Sequence, residues 1–197
     1  MLAVSPAMAT VLYSNGAFNG TADAWTINFG FAVSDSFTVA GGSNINSLNF
    51  VYWDASSSDL LTTVDVAFGS SSFGGSIQTL TGVTNTLLGS NQYGYNLYQA
   101  DYSFTDIPWS GAGFVSLSNA CSTSGCSISN PIYWDENSGP SSAYENSLGS
   151  VPSEAFTLGG GGTTTTTSGT TPEPSSIMLF GSGILGLAGV LRRKLTR

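Results

Sequence analysis

From Trp25 to Val33 the large apolar residues fall on every second position: Trp25, Ile27, Phe29, Phe31 and Val33. A period of two places all five on one face of an extended chain, whereas a helix would scatter them around its axis. Val64-Asp65-Val66-Ala67-Phe68 repeats the pattern with Asp65 outward, and Tyr93-Gly94-Tyr95-Asn96-Leu97, Tyr102-Ser103-Phe104 and Val115-Ser116-Leu117 continue it. Turn formers separate these runs, as in Gly41-Gly42-Ser43-Asn44, Gly74-Gly75-Ser76 and Ser138-Gly139-Pro140. Short strands recurring roughly every 8 to 12 residues, with no amphipathic helix between them, predict an all-β domain. The expected architecture is an antiparallel β-sandwich, jelly-roll-like, over residues 10–158. A stretch of that length can bury one core of its own. After Leu158 come four glycines, five threonines at 163–167 and Ser168-Gly169-Thr170-Thr171. Such low complexity predicts a tether over 159–171.

Charge narrows the chemistry. The four cations, Arg192, Arg193, Lys194 and Arg197, all fall in the last six residues, histidine is absent, and eleven carboxylates lie between Thr10 and Thr171. A Ser-His-Asp or Cys-His mechanism lacks its base, and a Schiff-base mechanism lacks its lysine. Phosphorylated substrates and nucleic acid lack the cations that would neutralise phosphate. Carboxylate chemistry is what remains. A glycosidase needs two Asp or Glu side chains facing one cleft, and Asp135, Glu136, Glu145 and Glu154 are the candidates. Acidic loop residues more often cap turns or stand in solvent, so the expectation is a protein that is not an enzyme. Asp135, Glu136 and Asn137 also offer hard oxygens of the kind calcium prefers. Structural calcium is the one cofactor considered, and no EF-hand pattern or glycine-aspartate repeat supports it.

The aromatic residues allow two readings. Tyr52-Trp53-Asp54 recurs as Tyr133-Trp134-Asp135. The plainer reading is two strand ends with inward rings, and the alternative is paired surface aromatics on which sugars stack. Asn91-Gln92-Tyr93-Gly94-Tyr95-Asn96-Leu97-Tyr98 divides in the same way. Alternation of Tyr93, Tyr95 and Leu97 favours an inward face, while tyrosines beside amides suit a sugar-binding one. Cys121 and Cys126, the only cysteines, flank Ser122-Thr123-Ser124-Gly125 and predict a disulfide across a small turn.

Both ends carry the marks of export. Ala7-Met8-Ala9 follows Leu2-Ala3-Val4 as a signal-peptide cleavage site follows its apolar region, so residues 1–9 are expected to be the remnant of a signal peptide starting upstream. At the other end Pro172-Glu173-Pro174 and Ser175-Ser176 lead into an apolar run from Ile177 to Leu191, and the basic residues follow at once. A helix over 177–191 would be roughly 22 Å long, a marginal span for a hydrocarbon core of about 30 Å. Lys and Arg beside a span stay on the cytoplasmic side, which would leave the rest of the chain outside.

This order resembles the PEP-CTERM sorting signal of exported bacterial proteins, over roughly residues 172–197. The resemblance implies that Pro172, Glu173 and Pro174 are the sorting motif and that Arg192, Arg193, Lys194 and Arg197 are the basic stop. It also implies passage through the inner membrane, processing by an exosortase-like protease or transpeptidase, and a cell-surface or extracellular fate. In that family the pathway goes with exopolysaccharide and biofilm production. A structural or matrix role is therefore expected, with a non-catalytic carbohydrate-binding module as the alternative and a carboxylate-pair glycosidase as the third reading.

Overall fold

Two strands of unusual length organise the domain. In the computed structural model, which describes residues 10–162 other than 57, 127 and 128, Ala32–Asp54 (β3) pairs antiparallel with Asn96–Ser122 (β7) along almost its whole length. The ladder is interrupted between Val39 and Ser43, where three residues of β3 stand against one of β7. Gly42 has φ of 75° there, a left-handed conformation that costs a side-chain-bearing residue but not glycine. The interruption divides the sheet into two arms.

In chain order the other strands are Thr10–Ser14 (β1), Ala24–Thr26 (β2), Leu61–Gly69 (β4), Ser76–Leu80 (β5), Thr84–Ser90 (β6), Tyr133–Asp135 (β8), Ala143–Glu145 (β9), Gly149–Val151 (β10) and Phe156–Gly162 (β11). One arm runs from β5 through β4 to the second half of β7, the first half of β3, then β9 and β10. The other runs from β6 through the first half of β7 to the second half of β3, then β11 and β1. Beside it, β8 pairs with the end of β3 and with β2. Every pairing is antiparallel, and among the described residues no helix is long and apolar enough to cross a membrane. The expected all-β antiparallel fold is present, with the hydrogen bonding running continuously through one sheet where a sandwich has two.

The arms enclose the core between them. Val33, Phe37, Val66, Phe68, Val115 and Leu117 face inward from one, and Leu48, Phe50, Tyr52, Tyr102, Phe156 and Leu158 from the other. Rings meet across the gap: Tyr13 lies 6.2 Å from Phe37, and Phe68 lies 5.9 Å from Phe104. Trp134 is fully buried against Phe50 and Phe156 in edge-on contacts, the geometry the ring quadrupole favours.

Two sequence expectations need correction here. The run from Trp25 to Val33 is not one strand: β2 ends at Thr26 and β3 begins at Ala32. Buried Asn28 makes the break. Its side chain donates to the Asn130 carbonyl at 3.0 Å and accepts from Ile132 N at 3.4 Å, while Phe31 N closes a turn on Asn28 O and Phe29 takes φ of 58°. The second correction concerns Gly159 to Gly162, expected as the start of the tether. They are the last residues of β11 and pair with β3 from Ser47 to Ser43.

The predicted disulfide between Cys121 and Cys126 is present. It closes the turn that ends β7, where Ser122 and Gly125 exchange backbone hydrogen bonds at 3.0 Å. So short a loop restricts the unfolded chain by roughly 2 kcal/mol. Adding a reductant should lower the melting temperature by about 6 °C, measured by calorimetry with and without a phosphine. An unchanged melt would mean that the Asp59 carboxylate, which accepts from Thr123 and Ser124, holds the turn without the bridge.

Candidate functional site

The two Tyr-Trp-Asp copies are hydrogen-bonded neighbours. In the antiparallel pairing of β3 with β8, Tyr52 faces Trp134 and Trp53 faces Tyr133. Because successive side chains of a strand point to opposite sides, Tyr52 and Trp134 enter the core while Trp53 and Tyr133 lie together on the other side of the sheet, with Trp53 still buried there and Tyr133 half-buried. The expectation of inward rings holds for one residue of each copy. It fails for the other, because two facing copies of an alternating motif present one ring pair to each side.

Tyr93 and Tyr95 then join Trp53 and Tyr133. These tyrosines were expected to face inward, but β7 begins only at Asn96, and residues 91–95 form a turn. The Asn91 side-chain oxygen accepts from Tyr93 N and Tyr95 N, each at 3.0 Å, and Asn91 N donates to Tyr95 O at 2.9 Å. That turn lays both rings over Trp53, with centroids 6.0 Å away for Tyr93, nearly parallel, and 5.8 Å for Tyr95. Tyr95 meets Tyr133 edge-on at 5.6 Å. Tyr93 remains 55% exposed. Ala22, Asp23 and Ala24 complete an open pocket of about 420 Å³.

Beneath this pocket the carboxylates proposed from sequence are mostly buried. Asp135 has no exposed surface. It accepts from the indole N–H of Trp53 at 2.6 Å and from the backbone N–H groups of Asn19 and Gly20 at 3.1 and 3.0 Å. Burial pushes its pKa up to about 6 against the opposing effect of these donors. Glu136 is half-buried, accepts from the Trp25 indole at 3.1 Å, and is shifted upward chiefly by burial. Asn137 is a clamp: its amide donates to the carbonyls of Asn15 and Ala17, and its oxygen accepts from Gly139 N and the Ser153 hydroxyl. The oxygens considered for calcium are thus engaged by protein donors. Among the described residues no group of three or more His, Cys, Asp or Glu could hold a metal ion.

Glu154 stands opposite Glu136 across an isolated bridge, so their side chains share a face. It is fully buried, both carboxyl oxygens lack a hydrogen-bond partner, and burial followed by the nearby Asp35 carboxyl drives its pKa well above the usual range. Asp35, which sequence reasoning did not single out, is fully buried too and is raised to about 6, again by burial. Its Oδ2 accepts from Glu154 N at 2.7 Å and Asn15 Nδ2 at 3.1 Å. Glu145 is bound elsewhere, accepting from Ser147 and from Leu148 N. The four glycosidase candidates therefore do not line one cleft, and Asp23 is the carboxylate at the pocket.

Residues 1–9, the sorting tripeptide Pro172 to Pro174, the run 177–191 and the basic residues Arg192, Arg193, Lys194 and Arg197 lie outside the described residues. No curated protein matches the chain. Residues 170–194 do match the family model of the PEP-CTERM protein-sorting motif, so this segment carries a sorting signal of exported proteins.

Proposed function

We propose that the chain is a non-catalytic bacterial surface or matrix protein, delivered by its sorting signal and processed near Pro172-Glu173-Pro174 by an exosortase-like protease or transpeptidase. The match of residues 170–194 to the sorting motif carries this reading. The last strand among the described residues ends at Gly162, ahead of the matched segment, so a cut at the motif would leave all the described strands on the delivered product. The reading places Arg192 to Arg197 on the cytoplasmic side of the inner membrane before the cut, and gives the antiparallel β domain a structural part in an exopolysaccharide matrix. Burial of Asp135 and Glu154 supports the absence of catalysis, because a hydrolytic pair must reach substrate. The aromatic pocket favours a carbohydrate-binding role within the same setting.

Intact-mass analysis of the protein recovered from cell surface and medium tests the proposal. The expected product ends near residue 174 and, since every Lys and Arg lies beyond it, bears no positively charged side chain. A mature product still ending at Arg197 would overturn the sorting step.

A further inference from the structure

The pocket over Trp53 combines features that select one class of ligand. Its walls are ring faces and edges from Tyr93, Tyr95 and Tyr133, and its rim carries the Asp23 carboxylate. An aromatic face bears partial negative charge and an edge partial positive charge. A pyranose presents the matching surface, with axial C–H bonds directed at a ring and equatorial hydroxyls around the perimeter for phenolic oxygens and a carboxylate. A purely apolar ligand would leave the exposed Asp23 carboxylate, of which Ala24 N reaches only Oδ1, without a partner. A volume of about 420 Å³ is at the small-ligand scale.

Charge selects further. Residues 10–171 hold eleven carboxylates and no Lys, Arg or His, so phosphorylated, sulfated and uronic sugars meet only like charge. The site is also held in shape before any ligand arrives. Asn91 fixes the turn that carries both tyrosines, and Asp135 fixes the Trp53 indole beneath them. Pre-organisation of this kind removes much of the ordering cost of binding.

We propose that the Trp53, Tyr93, Tyr95 and Tyr133 pocket is a binding site for a neutral saccharide, with the exposed Tyr93 ring as the stacking platform and Asp23 accepting from sugar hydroxyls. The site rests on the export reading only for access to extracellular glycans, and its test is independent of that reading. Full-length chain in a non-glycosidic detergent is titrated with cellohexaose, laminarihexaose, xylohexaose and mannohexaose. Hexagalacturonate serves as the anionic comparison. Binding is read by calorimetry and by the change in tryptophan emission.

At least one neutral hexaose should bind at micromolar to submillimolar concentration. Tyr93→Ala should weaken it at least tenfold, Tyr93→Trp should retain it, and Ile77→Ala, on a remote exposed strand, should leave it unchanged. Near-ultraviolet dichroism and the melting temperature of Tyr93→Ala establish that its fold is kept. Three results would overturn the site: no binding of any neutral hexaose, binding that survives Tyr93→Ala combined with Tyr95→Ala, or equal binding of hexagalacturonate. Failure of the sorting step would show as an intact Arg197 terminus and leave these titrations unaffected.

Discussion

The melting temperature of the β domain is expected to fall by about 10 °C as pH rises from 4.5 to 7, opposite to the trend of proteins whose carboxylates are paired with cations. Asp35, Asp54 and Asp135 are each raised to about 6, with burial the largest cause in every case, and Glu154 is raised well above its ordinary value. Between about pH 4 and 6 the unfolded chain has released these protons while the fold still holds them, so the folded state binds more protons and stability declines with rising pH. The favourable contribution is complete below the unfolded pKa and is gone once pH passes the folded one. A shift of this size corresponds to at most roughly 3 kcal/mol for each of the fully buried groups, Asp35 and Asp135. A net loss of that order gives the stated change in melting temperature for a domain of this length.

Asp59 sets the acid limit. Hydrogen bonds outweigh burial and lower its pKa, so the stability it adds disappears as pH falls below about 4, leaving an optimum near 4.5. At the alkaline end Tyr52 and Tyr102, both raised by burial, extend the decline above pH 10. Calorimetry from pH 3 to 9 checks the curve, and Glu154→Gln, which removes the most strongly shifted acid, should flatten the stretch between pH 5 and 8. A melting temperature that climbs steadily from pH 4 to 7 would mean that water reaches these carboxyls.

The alternating pattern in the sequence read the strands correctly where a run lies inside a single ladder. Val64 to Phe68 falls in β4 with Val64, Val66 and Phe68 buried, and Val115 to Leu117 falls in β7. It misled between Trp25 and Val33 because the period of two continues through a turn. There one buried side-chain amide, that of Asn28, replaces the strand partners that the backbone forgoes. Asn28 is itself a turn-favouring residue, but the partners that hold the break, Asn130 and Ile132, lie about a hundred residues away in sequence.

The site was legible as residue types and hidden as an arrangement. Trp53, Tyr93, Tyr95 and Tyr133 are visible as aromatics beside amides, but bringing them together needs the register of β3 on β8, a pairing that spans about eighty residues. The carboxylates erred the other way. Acidic residues in Gly- and Ser-rich stretches suggest solvated turns, yet Asp35, Asp135 and Glu154 have no exposed surface. No cation lies between Thr10 and Thr171 to pair with them. Without one, a buried carboxyl can be accommodated only by hydrogen bonds or by keeping its proton.

Gly160→Ala should destabilise the β domain by about 3 kcal/mol, whereas Gly161→Ala, one residue away in the same glycine run, should change stability by less than about 0.5 kcal/mol. Gly160 is buried where β11 shifts register against β3, and a Cβ there would collide with the Asn44 carbonyl oxygen and stand 2.9 Å from Leu12 Cδ1. The carbonyl belongs to the central strand and cannot swing aside without opening the ladder. Gly161 is exposed, and its added methyl would meet nothing within 4 Å. A tether predicts no effect at either position, so the contrast distinguishes a glycine-rich linker from a strand whose glycines allow β1, β11 and β3 to approach closely. Urea unfolding of both variants beside the parent chain provides the measurement. Equal stability of all three would return residues 159–162 to the linker, and would move the edge of the folded unit back to Leu158.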